Sequence, residues 1–203
     1  MISRRRFLKN TALAVTTGFA GLSFNSSCSP KAVEKNIFGY GMLIPDPDGI
    51  LDLPQGFTYS VLSRTGDQMD DGLLLPGAPD AMAAFPTRDG KTILIRNHEL
   101  SVDSREIGAF GKENNLINLI KKTDFYDIGK NNNPSLGGTT TVILSSNGKI
   151  EKQFLSLAGT VRNCAGGTTP WGSWITCEES VQKKDDEHEK DHGYNFEVPA
   201  TTE

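Results

Sequence analysis

The run Gly137-Gly138-Thr139-Thr140-Thr141-Val142-Ile143-Leu144-Ser145-Ser146-Asn147-Gly148-Lys149-Ile150-Glu151-Lys152-Gln153-Phe154-Leu155-Ser156-Leu157 decides the fold class. Its first half, from 139 to 144, is β-branched and apolar and follows a glycine pair. Its second half, from 150 to 157, is again strand-like. Between them stands Asn147-Gly148, a dipeptide that accepts the positive φ angles of a tight turn between antiparallel strands. The spacing predicts a β-hairpin.

The same logic extends outward. Thr92-Ile93-Leu94-Ile95 follows the turn Asp89-Gly90, and Phe57-Thr58-Tyr59-Ser60-Val61-Leu62 alternates with period two behind Pro54-Gln55-Gly56. Trp174-Ile175-Thr176 and Tyr194-Asn195-Phe196-Glu197-Val198 predict two more strands. Only residues 113–122 predict a helix, with Leu116, Ile117, Leu119 and Ile120 on overlapping faces. Residues 183–191 are almost wholly charged and predict a solvated loop, with His188 and His192 facing solvent. Trp171 and Trp174 are expected in the sheet core, and Asp46-Pro47-Asp48-Gly49 as a simple turn rather than a calcium loop. Several short strands at irregular spacing, joined by loops, predict an all-β sandwich or propeller. No short repeat of fixed period supports a WD40-type array.

Composition narrows the function classes. The chain has 203 residues, with 21 Gly and 10 Pro, close to ordinary usage, so collagen-like and low-complexity readings fail. No run of ~20 apolar residues exists, which excludes a polytopic membrane protein. Residues 1–27 carry four basic groups and no acidic one, leaving 17 basic against 25 acidic residues in the rest. An acidic body repels phosphodiester backbones, so no nucleic acid partner is expected.

The N-terminus reads as an address. Arg4-Arg5-Arg6-Phe7-Leu8-Lys9 precedes a mildly apolar stretch too short and too rich in Gly and Thr to span a bilayer. The paired Arg4-Arg5 matches the twin-arginine export pattern, which makes the twin-arginine translocation machinery an expected partner. Residues 1–28 are therefore assigned as a signal peptide and 29–38 as a polar linker. Ser26-Ser27-Cys28 resembles a lipoprotein cleavage box, although Asn25 stands where leucine is usual; lipidation of Cys28 and plain cleavage nearby both fit. The expected location is outside the cytoplasm, in the periplasm or as a membrane-anchored lipoprotein.

Unusual chemistry concentrates in Asn163-Cys164-Ala165-Gly166-Gly167-Thr168-Thr169-Pro170-Trp171-Gly172-Ser173-Trp174-Ile175-Thr176-Cys177-Glu178-Glu179. A thiol and two adjacent carboxylates flank a Pro-Trp-Gly turn. Neighbouring strand residues point to opposite faces, so Glu178 and Glu179 cannot both enter one site unless a bulge or strand end re-aims them. A second polar cluster, Arg96-Asn97-His98-Glu99, ends the strand predicted at 92–95. Cys164 and Cys177 are 13 positions apart in an exported chain, and the generic reading of such a pair is a disulfide.

These segments, together with Gly39-Tyr40-Gly41, Leu53-Pro54-Gln55-Gly56-Phe57, Met69-Asp70-Asp71-Gly72, Gly137-Gly138-Thr139-Thr140 and His192-Gly193-Tyr194-Asn195-Phe196-Glu197-Val198-Pro199, resemble the PhoX family of exported alkaline phosphatases. The resemblance runs in the family's order over nearly the whole mature chain. It implies a six-bladed β-propeller, of which residues 39–203 supply the first blades. It also implies ferric and calcium ions and hydrolysis of phosphomonoesters to inorganic phosphate. It assigns Cys164 as an iron thiolate, with Cys177 left as a buried thiol. Glu179 is then the first choice and Glu178 the second for a metal-bridging carboxylate, Glu99 a further ligand, and His98 and Asn97 weaker ones. Positive charge for a phosphate is expected from the metals and from Arg96 or Arg162. The competing reading is a non-catalytic, calcium-stabilised binding propeller, since fold alone does not decide function. The chain stops directly after a strand-like run, at Pro199-Ala200-Thr201-Thr202-Glu203, so a 203-residue polypeptide is expected to be an open, inactive and aggregation-prone piece of the propeller.

Overall fold

The computed structural model describes residues 39–202. The signal peptide, Cys28 and the linker lie outside the described residues. Secondary structure among those residues is β throughout, apart from four 3-10 turns. The strands are β1 (Leu43–Ile44), β2 (Leu53–Pro54), β3 (Pro79–Pro86), β4 (Thr92–His98), β5 (Gly137–Leu144), β6 (Ile150–Thr160), β7 (Asn163–Thr168), β8 (Ser173–Glu178) and β9 (Asn195–Pro199). The chain divides into two units, the first ending at Tyr59 and the second beginning at Ser60.

In the first unit β1 pairs antiparallel with β2. The loop between them is built on Asp46, whose carboxylate accepts from the backbone N–H of Asp48, Ile50 and Leu51 and from the Tyr59 hydroxyl. The Tyr59 bond, with the backbone bonds behind it, pulls the Asp46 carboxyl down to about 2. Residues 46–49 are thus a side-chain-bonded turn. The strand expected at 57–62 does not form. Phe57 and Val61 stay almost half exposed, and Phe57 meets Tyr40 edge-on at 5.0 Å. Alternation encodes a strand only where a neighbouring strand covers one of its faces.

The second unit holds a four-stranded antiparallel sheet in meander order, β3-β4-β5-β6, and a three-stranded sheet, β7-β8-β9. A four-stranded meander is the form of a propeller blade, and the architecture is a partial β-propeller. The β5–β6 turn carries Gly148 at φ +77°, with its N–H bonded to the Ser145 carbonyl at 2.9 Å, as the Asn147-Gly148 signal predicts. Ile93 and Ile95 of β4 pack against Trp174 of β8 and Val198 of β9, so the two sheets share a core. A second core gathers Met69, Leu73, Leu75, Leu100, Phe110 and Phe125 beneath the long loops.

Three expectations need correction here. Residues 113–122 form a 3-10 turn at Ile117–Leu119 rather than an α-helix; Asn114 sits at φ +52°, and the turn has no side-chain cap. Trp171 lies at the tip of the β7–β8 hairpin, 73% exposed, and donates to Glu197 Oε1 at 2.6 Å. His188 and His192 are buried, not solvated.

Candidate metal centre

Two β-bulges build the site. Pro79 pairs with His98 and Met82 with Arg96, so Asp80 and Ala81 together oppose Asn97. Asn163 pairs with Glu178 and Gly166 with Thr176, so Cys164 and Ala165 together oppose Cys177. An extra residue bends its strand and re-aims a side chain. Asp80 sits in one bulge, Cys164 in the other, and Glu99 just past the end of β4. Ligating atoms of these three half-buried residues all lie within 4.8 Å of one another.

The thiol and carboxylates are electrostatically mismatched without a cation. The Asp80 carboxylate, bonded to the Cys164 thiol, pushes its pKa up, and burial and the charges of Glu179 and Glu99 add to this. A metal cation reverses the sign, because a coordinating thiol is deprotonated. A set of one sulfur and two carboxylates is chemically able to hold a transition-metal ion such as iron. Both Cys164 and Cys177 are free thiols, so the pair forms no disulfide.

Arg162 ties a further carboxylate to this cluster. Its Nε and Nη2 donate to Glu99 Oε1 at 3.1 and 2.8 Å, and Nη2 also donates to Glu179 Oε2 at 2.8 Å. Arg162 holds a left-handed φ of +50°, its N–H bonded to the Leu100 carbonyl and its own carbonyl accepting from Glu179 N–H. The tight turn after β6 thereby places Glu99, Arg162 and Glu179 side by side.

Glu178 goes elsewhere. Oε1 accepts from Val161 N–H at 2.8 Å and faces His192 Nδ1 at 2.7 Å; Oε2 accepts from Gly193 and Tyr194 N–H. Burial favours its protonation, but the hydrogen bonds from His192 and the backbone outweigh that and hold the carboxyl below its usual range. With four protein partners it is a structural carboxylate on the face opposite Glu179, as strand alternation demands.

Three other expected residues also fall outside the cluster. His98 Nδ1 meets the Gly77 carbonyl at 2.8 Å and Nε2 meets Thr140 Oγ1 at 2.9 Å, and burial lowers its pKa to about 4. Arg96 donates to that same Thr140 Oγ1, on the His98 face of β4. Asn97 points to the opposite face, where its amide bonds the Cys164 and Ala165 carbonyls. The structure therefore brings together Cys164, Glu99, Arg162 and Glu179, and places Glu178, His98, Asn97 and Arg96 outside that cluster. Asp80 is the residue sequence reasoning missed. Its strand, Pro-Asp-Ala-Met-Ala-Ala-Phe-Pro, is poor in β-formers, and its one signal is an acidic residue directly after Gly77-Ala78-Pro79.

A family model described as alkaline phosphatase PhoX matches residues 38–203. Neither the curated proteins nor the solved structures contain a match.

Proposed function

The chain belongs to the PhoX family of alkaline phosphatases, and on that premise we propose that it serves an exported, metal-dependent phosphomonoesterase. The observation that carries this reading is the convergence of Asp80, Glu99 and Cys164 within 4.8 Å across two bulges. These three residues, with Glu179 beside them, would hold iron. Calcium takes oxygen donors only and would be held by other groups. Bound iron supplies Lewis-acid polarisation of the phosphoryl group and stabilises charge developing on the leaving oxygen.

The chain's own residues then divide the remaining work. Cys164 gives up its thiol proton and remains an anionic ligand. Asp80 and Glu99 contribute carboxylate oxygens, and the Arg162 guanidinium holds that of Glu99. Arg162 partly offsets the negative charge of Glu99 and Glu179. Its side chain is about half exposed, and its remaining N–H groups are available to a phosphate oxygen. The twin-arginine-like leader supports an action outside the cytoplasm, after export of an already folded, metal-loaded protein, with Cys28 as the candidate lipid attachment point.

The test is hydrolysis of a chromogenic phosphomonoester by the iron- and calcium-replete full-length protein, with and without chelator, in wild type and Cys164→Ser. Turnover lost with chelator and in Cys164→Ser, together with iron content, supports the reading. Turnover indifferent to both, or none in the metal-replete protein, overturns it.

A further inference from the structure

Asn97 is fully buried, and each polar atom of its amide is used. Nδ2 donates to the Cys164 carbonyl at 2.8 Å and to the Ala165 carbonyl at 3.0 Å. Oδ1 accepts from Trp174 Nε1 at 2.8 Å. The two carbonyls belong to the bulged residues of β7, where the ladder is locally disrupted. Asn97 itself stands in register opposite the other bulge, at Asp80 and Ala81. One amide thus lies between the two irregularities that aim Asp80 and Cys164. Trp174 reaches it because Gly166 lacks a side chain: a Cβ there would lie 2.2 Å from Trp174 Cζ2.

We infer that Asn97, oriented by Trp174, is a positioning residue that fixes the Cys164–Ala165 bulge and so holds the Cys164 sulfur against Asp80 and Glu99. The metal-dependent part of this inference rests on the reading of the cluster as an iron site; the placement of the sulfur does not. An asparagine suits the task because its two N–H groups can serve two carbonyls while its oxygen takes the indole proton. An aspartate would set an anion against both carbonyl oxygens. A leucine would leave both carbonyls and the buried indole N–H without these partners.

Two readouts on the full chain test this, using Asn97→Leu and Trp174→Phe. The second variant keeps an aromatic ring in the core and removes the donor that orients Asn97, together with the indole edge that lies over Gly166. In metal-free protein, iodoacetamide alkylation of Cys164 and Cys177 is followed by peptide mass spectrometry. Released from its seat beside Asp80, Cys164 should react about fivefold faster in both variants, with Cys177 unchanged. In the second readout, cobalt(II) titration follows the thiolate-to-metal charge-transfer band, and apparent affinity should fall about tenfold in both variants.

Wild-type values for both readouts in Trp174→Phe overturn the inference, and Trp174→Phe decides alone if Asn97→Leu does not fold. A wild-type protein that shows no Cys164-dependent cobalt band, while alkylation of Cys164 still responds to the variants, sinks the iron reading and leaves the positioning role standing.

Discussion

Glu178 Oε1 and His192 Nδ1 are 2.7 Å apart with both side chains fully buried, while the other ring nitrogen of His192 faces Asp127 Oδ2 at 3.2 Å. An imidazole whose two nitrogens both meet carboxylates donates from both only when protonated. Burial works against that charge, but Glu178 and Asp127 outweigh it and raise the His192 pKa. Around the ring stand His188 at 5.2 Å and Tyr126 at 5.5 Å, with Lys190 over the Tyr126 ring and Asp191 also coupled to His192. A raised histidine pKa contributes stability that is complete below the unfolded value of 6.5 and is lost as pH climbs through the folded value. Thermal unfolding should therefore show a midpoint that falls as pH rises above neutral. In His192→Gln that fall should be much reduced, and an unchanged slope would remove His192 from the account.

Adjacent glutamates should respond oppositely to the same change. Glu178→Gln weakens a buried ion pair and turns an acceptor into a donor facing backbone N–H groups, a loss of about 3 kcal/mol or more in stability. Its cobalt(II) affinity should stay within about twofold of wild type. Glu179→Gln removes one surface ion pair, worth less than about 1 kcal/mol, yet should weaken metal binding about tenfold. Chemical denaturation and cobalt titration of both variants separate the two roles.

What the sequence made legible is the chemistry of regular strands. Residues 92–95, 139–144, 150–157, 174–176 and 194–198 fall within or overlap β4, β5, β6, β8 and β9, because their β-branched and aromatic side chains have sheet faces to cover. β3 and β7 escaped because Ala81, Ala83, Ala84, Ala165, Gly166 and Gly167 give them little β-propensity, and Gly166 is there because a Cβ would strike Trp174. Both β3 and β7 carry bulges, so Asp80 and Cys164, each in a bulge, could be brought together only in three dimensions. The family resemblance singled out Cys164, with Glu99 as a further candidate, without that geometry. His192 was misjudged for a related reason: both of its ring nitrogens meet carboxylates remote in sequence, Glu178 and Asp127.

Gly166 and Gly167 offer a test of how tightly β7 is seated. A Cβ on Gly166 would meet Trp174 Cζ2 at 2.2 Å and the Ile175 carbonyl oxygen at 2.4 Å, and the latter is backbone that cannot rotate away. A Cβ on Gly167 would meet nothing within 4 Å. Gly166→Ala should lose about 1–3 kcal/mol or more and disturb Cys164 reactivity, whereas Gly167→Ala should stay within about 0.5 kcal/mol of wild type. Equal stabilities by denaturant titration would mean that β7 does not press on Trp174.

Arg162 combines a backbone strain with a functional side chain, and glycine separates them. At φ +50° a non-glycine residue is held at a cost of about 1 kcal/mol or more, which glycine relieves. The lost bonds to Glu99 and Glu179 involve a side chain 47% exposed, and pairs of that kind contribute little net stability. The two effects nearly offset, so Arg162→Gly should unfold close to wild type, and Arg162→Ala, which keeps the strain, should be the less stable. Catalysis has no such compensation. If the guanidinium receives a phosphate oxygen, KM for a phosphomonoester should rise about tenfold in both variants, the loss of one charge-assisted hydrogen bond. A stable Arg162→Gly protein with wild-type KM would confine Arg162 to neutralising the carboxylates around it.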